Sequence, residues 1–172
     1  MVKFIHAADV HLGIMVAGVG KSQKEIAREL KQAAFDAFER VIDTAIEEEV
    51  DALVLAGDLL DSSRTFVKEK LFLQSQLNRL APFGIPVIVA LGNHDAGSAY
   101  VSGEHIYTLG SAVETIEVET RNGERVAFSG FSYEVPVVAT RKVQEYPAKS
   151  ANCDIHIGVL HGELTTAQGR YA

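Results

Sequence analysis

The chain has 172 residues, of which 47% are hydrophobic and 23% charged, and its formal net charge is −7. That length suits one domain with a real core, and no apolar run is long enough to span a bilayer. A surface that holds nucleic acid by its own charge is normally basic, so this acidic balance counts against a simple DNA-binding module, and less against a metalloenzyme whose bound cations reverse the local field.

The first apolar stretch, Val2 to Ala8, ends in Asp9 and His11. It turns polar too early for a signal peptide. A Gly-rich connection, Gly13 to Gly20, leads to Ser22 and Glu25, which have capping-box spacing. From there Ile26, Leu30, Ala34, Phe38, Val41, Ala45 and Ile46 recur at helical spacing as far as about Glu49. Asp51 to Ala56 reads as a buried strand that breaks at Gly57-Asp58, and a second helix is predicted over about Phe66 to Leu80. Pro82 and Gly84 end that helix; Ile85 to Leu91 is the next strand, broken at Gly92. These elements form a parallel α/β unit with right-handed crossovers.

Beyond residue 100 the pattern changes. Val113 to Thr120 alternates, Asn122-Gly123 signals a tight turn, and Glu124 to Phe131 is strand-like, which together predict a hairpin. Asp154 to Leu160 is a last strand, ending at His161-Gly162. A single cysteine, Cys153, cannot make an internal disulfide and fits a reducing compartment, so the cytoplasm is the expected location.

Each strand of the parallel unit stops at a polar cluster, and sites in open α/β sheets gather beyond the carboxyl ends of strands. Asp9 and His11, Asp58, and Asn93-His94-Asp95 are expected on one rim, with His161 after a fourth strand. Hard oxygen donors mixed with imidazole suit Mn, Fe or Zn rather than Ca. Asp58 is the natural bridge between two cations; Asn93 and His161 can serve the second, and His94 can protonate a leaving group or hydrogen-bond a phosphate. The bland readings are turn carboxylates, a polar turn and a strand terminator. Asp-x-His alone carries little. Gly-Asn-His-Asp, however, arises by chance in about one chain of this size in a thousand. His6 reads as a core histidine, His105 as a solvated loop residue and His156 as structural.

Asp9-Val10-His11, Gly57-Asp58, Gly92-Asn93-His94-Asp95 and His161 together resemble the calcineurin-like metallophosphoesterase superfamily. The resemblance covers the whole chain. It implies an α/β/β/α sandwich of two mixed sheets with helices outside. Asp9 and His11 match ligands of a first metal, Asp58 the bridge, Asn93 and His161 ligands of the second, and His94 the residue acting on the leaving group. The family's final Gly-His-x-His is not found in these 172 residues. Each metal is thus expected to be one ligand short here, and the second sheet incomplete.

Longer matches point to DNA-repair exonuclease subunits of the SbcD and YhaO type. They are Phe4 to Gly13, Ala56 to Asp61 and Gly158 to Glu163. Asp61 falls where such nucleases carry a group close behind the ligands; a helix-start carboxylate is the plain alternative. The resemblance implies two-metal hydrolysis of DNA, with Mn the expected metal and Fe or Zn the alternatives. It also implies an SMC-like ATPase partner, and it allows a homodimer. Two other readings stand beside it: a phosphoesterase for cyclic nucleotides, nucleotides or phosphoproteins, and a metal-poor binding domain that has lost catalysis.

Overall fold

The computed structural model describes residues 1–13, 24–60, 67–96 and 101–162. Its elements run β1 (Phe4–Ala7), α1 (Lys24–Glu47), β2 (Ala52–Ala56), α2 (Val67–Asn78), β3 (Val87–Ala90), β4 (Ile106–Thr108), β5 (Glu114–Glu119), β6 (Arg125–Gly130) and β7 (Ile155–Val159). Short 3-10 turns occupy Ala81–Phe83 and Lys142–Glu145. Two sheets result. The first has the order β1-β2-β3-β4 and the second β5-β6-β7.

The first sheet is parallel throughout, where two mixed sheets were expected; only the second is mixed, with β5 antiparallel and β7 parallel to β6. Strand β4 has no counterpart in the sequence reading. It is three residues long with Tyr107 and Thr108 exposed, too short and too polar to show a period. The predicted hairpin is β5-β6. Its turn is closed by Gly123 N–H donating to Thr120 O at 2.9 Å, with Gly123 at φ 79°. Ser22, the expected cap of α1, lies outside the described residues.

The two faces of the first sheet pack differently. Leu53, Leu55, Val87 and Val89 point to one face and meet Phe38 and Ile42 of α1 and Leu73 and Leu77 of α2. Each such side chain, fully buried, contributes about 1.5–3 kcal/mol. Ala52, Val54, Ala56, Ile88 and Ala90 point to the other face and meet Val126 and Phe128 of β6 and Val159 of β7. Alanines on one inner face leave room for Phe128 from the other, a large-against-small fit.

Among the described residues β1 and β7 are edge strands. On β1 the alternation is visible: Ile5 and Ala7 pack toward the helices, while Phe4 and His6 stay exposed on the face toward the second sheet. Phe4 reaches only the ring edge of Phe128, 6.4 Å between centroids. Among the described residues this side of the sandwich is uncovered, and the strand ends that carry the motif residues border it.

Candidate metal centre

Beyond the ends of β1 and β2 the chain continues to pair without forming regular strand. Asp9 N–H donates to Gly57 O at 3.1 Å, His11 N–H to Asp58 O at 2.9 Å and Leu12 N–H to Leu59 O at 3.0 Å. Asp9, His11 and Asp58 all have positive φ, 53°, 45° and 53°. Asp and His tolerate this left-handed region better than most residues, yet each such position costs about 1–3 kcal/mol. The kinked ladder holds the three side chains toward one point in spite of that cost.

His11 Nε2 lies 3.6 Å from Asp58 Oδ2 and 3.8 Å from Asp9 Oδ1. Its other ring nitrogen, Nδ1, is buried and has no hydrogen-bond partner among the described residues. Asp58 is itself buried. Its Oδ1 accepts the His94 backbone N–H at 3.0 Å, which leaves Oδ2 facing His11 on one side and His161 Nε2, at 3.4 Å, on the other.

His161 shows most about the chemistry. Its Nδ1 is 2.9 Å from the Ala56 carbonyl oxygen, which can only accept, so Nδ1 carries the proton. In the neutral ring Nε2 then presents a lone pair, and it faces two acceptors, Asp58 Oδ2 and Asn93 Oδ1 at 3.2 Å. Three electron-rich atoms converge. Either a proton on Nε2 or a cation among them relieves the repulsion. Ligand atoms of Asp9, Asp58 and His161 all lie within 4.8 Å of one another.

The electrostatics agree. For His161 the hydrogen bond to Asp58 raises the pKa, against burial, and the Ala56 carbonyl and the charges of Asp58 and Asp9 add to the rise. For Asp58 burial pushes upward, but the bonds from His161 and the His94 amide and the charges of both rings outweigh it, leaving the pKa lowered. Each shift favours the charged form of a group beside a centre of opposite sign.

Several supporting contacts escaped the sequence reading. Asp95, buried, accepts three backbone N–H groups: Leu59 and Leu60 at 3.1 Å each and Gly92 at 3.0 Å. It ties the loop after β2 to the loop after β3. The two motif glycines are needed for space. A Cβ on Gly57 would overlap the His161 ring, and one on Gly92 would overlap Asp58 Oδ1.

The remaining candidates are also placed. Asp9, Asp58, Asn93, His94 and His161 line an open cleft of about 410 Å³. His94 stands with its ring edge-on to His11, 5.3 Å between centroids at 85°. His6 lines the same cleft and is exposed, which corrects its reading as a core histidine; β1 is an edge strand whose inner face the second sheet does not cover. His105 is half-buried rather than solvated, its carbonyl accepting Val87 N–H at 2.8 Å. His156 bonds Ser129 Oγ at 2.7 Å, on the face of the second sheet opposite Phe128, in the structural role expected of it. Asp61 lies outside the described residues.

The donor set fits a divalent cation: the carboxylates of Asp9 and Asp58 and the His161 imidazole converge, with Asn93 Oδ1 beside His161 Nε2 and His11 Nε2 beside both carboxylates. Among the described residues no helix is long and apolar enough to cross a membrane.

Comparison with known proteins bears on the same residues. The family model described as calcineurin-like phosphoesterase matches residues 2–170. YhaO of Bacillus subtilis (strain 168), described as a metallophosphoesterase, is 36% identical over 171 residues, covering 96% of this chain and 42% of YhaO. The DNA double-strand break repair protein Mre11 of Haloferax volcanii is 38% identical over 173 residues, covering 96% of this chain and 35% of that protein. Mre11 of Halobacterium salinarum is 32% identical over 165 residues, covering 96% and 40%. The chain thus spans less than half the length of these curated relatives.

Proposed function

The chain belongs to the calcineurin-like phosphoesterase family, and on that premise we propose that it is the catalytic part of a two-metal phosphodiesterase that hydrolyses DNA. The observation that carries the metal-dependent reading is the convergence of Asp9, Asp58 and His161 ligand atoms within 4.8 Å, with His161 Nδ1 held by the Ala56 carbonyl so that Nε2 is turned toward Asp58 and Asn93. In this reading Asp9, His11 and Asp58 hold one cation, and Asp58, Asn93 and His161 the other. Asp58, whose Oδ2 lies between the two imidazoles, would be the donor common to both. Further donors, from water or from a Gly-His-x-His segment outside these residues, complete each shell.

When bound, divalent cations supply the positive charge that offsets a phosphate and the Lewis acidity that makes water nucleophilic at neutral pH. The protein's own part is orientation and proton delivery. Asp95 and the kinked ladder fix the loops, so the donors need little reorganisation as charge develops. His94, facing the cleft and fixed at its backbone by Asp58, gives a ring proton to the leaving ester oxygen.

DNA as substrate draws its support from the Mre11 relatives, whose names place them in double-strand break repair. Mn suits the mixed donor set best, with Fe and Zn next. We propose further that the protein works in the cytoplasm with an SMC-like ATPase subunit and with a second copy of itself. The test is to incubate the full-length protein with Mn and linear duplex DNA, alongside bis-nitrophenyl phosphate, cyclic nucleotides and a phosphopeptide. Shortening of the duplex is expected. Turnover of nucleotides or phosphopeptide with intact DNA would replace the DNA reading by a small-substrate one.

A further inference from the structure

The segment after β6 reaches across to the end of β3. Ser132 Oγ accepts the Leu91 N–H at 2.9 Å, and Tyr133 N–H donates to Leu91 O at 3.0 Å. Leu91 is thereby held on both its polar groups, two residues before Asn93. The Tyr133 side chain then turns to His161. Their rings stand edge-to-face, 6.1 Å between centroids at 83°, within the range where aromatic pairs attract. Phe131 backs the Tyr133 ring at 5.4 Å, and Tyr133 is only 4% exposed.

The His161 ring is met at Nδ1 by the Ala56 carbonyl and at Nε2 by Asn93 and Asp58, and it is flanked by the bare Gly57 and the Tyr133 ring. Contacts at the two nitrogens fix the ring's long axis but not its tilt about that axis. The aromatic contact supplies that further constraint. We propose that Tyr133 is a positioning residue for the second cation's ligands, its ring orienting His161 while its backbone, with Ser132, fixes the strand end that presents Asn93. This inference rests on the reading of His161 and Asn93 as ligands. The Tyr133 ring, packed between Phe131 and His161, is the working part.

Mn binding to the full-length protein, followed by electron paramagnetic resonance, tests this without reference to activity. Asp9→Asn marks the first binding step and His161→Ala the second. Tyr133→Leu is expected to weaken the step that His161→Ala weakens, by about tenfold as for other groups that orient metal-binding histidines. It should leave the other step unchanged. Tyr133→Phe should stay within about twofold of wild type, because the ring is kept. A first step that stays normal shows that the fold persists. Should Tyr133→Leu fail to fold, Ser132→Ala examines the other arm and must weaken the same step. An unchanged second step in Tyr133→Leu or in Ser132→Ala, or a loss in Tyr133→Phe equal to that in Tyr133→Leu, overturns the proposal. If His161→Ala itself keeps both steps, the ligand reading fails instead, and the two failures are told apart.

Discussion

Gly92 lies against the Asp58 carboxylate with no room for a side chain between them; a Cβ there would overlap Oδ1 and crowd the Asp58 amide nitrogen. The loop after β3 thus reaches the loop after β2 closely enough for His94 N–H to hold one carboxylate oxygen and Asp95 to hold three amides. We predict that Gly92→Ala displaces Asp58, costs about 1–3 kcal/mol of stability and abolishes metal binding. Gly84→Ala makes the contrast: it has positive φ, 64°, but nothing within 4 Å of the added Cβ. It should cost about 1–2 kcal/mol and leave binding intact. Thermal melts with a Mn titration on each variant check both.

Asp95→Asn keeps the size but replaces one acceptor oxygen by a donor facing backbone N–H groups. A loss of about 1–3 kcal/mol is expected, with Mn affinity falling because both loops loosen. Denaturant melts read the first and calorimetry the second. Wild-type affinity in a destabilised variant would limit Asp95 to folding alone.

The metal-free protein should show two opposed pH dependences at this site. His161 has a raised pKa, so its contribution is complete below its ordinary value of 6.5 and lost as pH rises through the folded value. Asp58 has a lowered pKa, so its contribution is complete above its ordinary 3.8 and lost as pH falls through the folded value. Denaturation curves of wild type and His161→Ala should therefore converge as pH rises above about 6.5. A constant difference between them across that range would contradict the pairing.

Two substitutions separate binding from proton transfer. Asp58→Asn should be the most damaging ligand change, because an amide leaves one good donor oxygen where a charged carboxylate faced two imidazoles. His94→Ala should keep both metals and lower turnover by about 100-fold. Metal analysis of the purified variants beside their rates decides each. Loss of metal in His94→Ala would remove its separate role.

How much of this was legible depended on whether a feature had a local signature. The strands β1, β2, β3 and β7 end within one or two residues of their expected ends because each apolar run stops at a Gly or a polar residue. Parallel topology brings Asp9, Asp58 and Asn93 to one rim of the first sheet, whereas His161 arrives from β7 of the second sheet. What stayed hidden was long-range. Nothing near Asp95 in sequence marks amides 35 and 36 residues away as its partners, and nothing near Tyr133 marks His161 as its neighbour. His6 was misread because exposure of one strand face depends on how far the opposite sheet extends.

We propose that His161 Nε2, Asn93 Oδ1, His11 Nε2 and the carboxylates of Asp9 and Asp58 are assembled to hold cations. Crystals of the full-length protein grown with Mn and measured for anomalous scattering decide this. Two peaks are expected, one on each side of Asp58 Oδ2, the first also touching Asp9 and His11 and the second Asn93 and His161. Crystals with Mn in excess that show no peak against Asp58, or peaks only elsewhere on the surface, would contradict it.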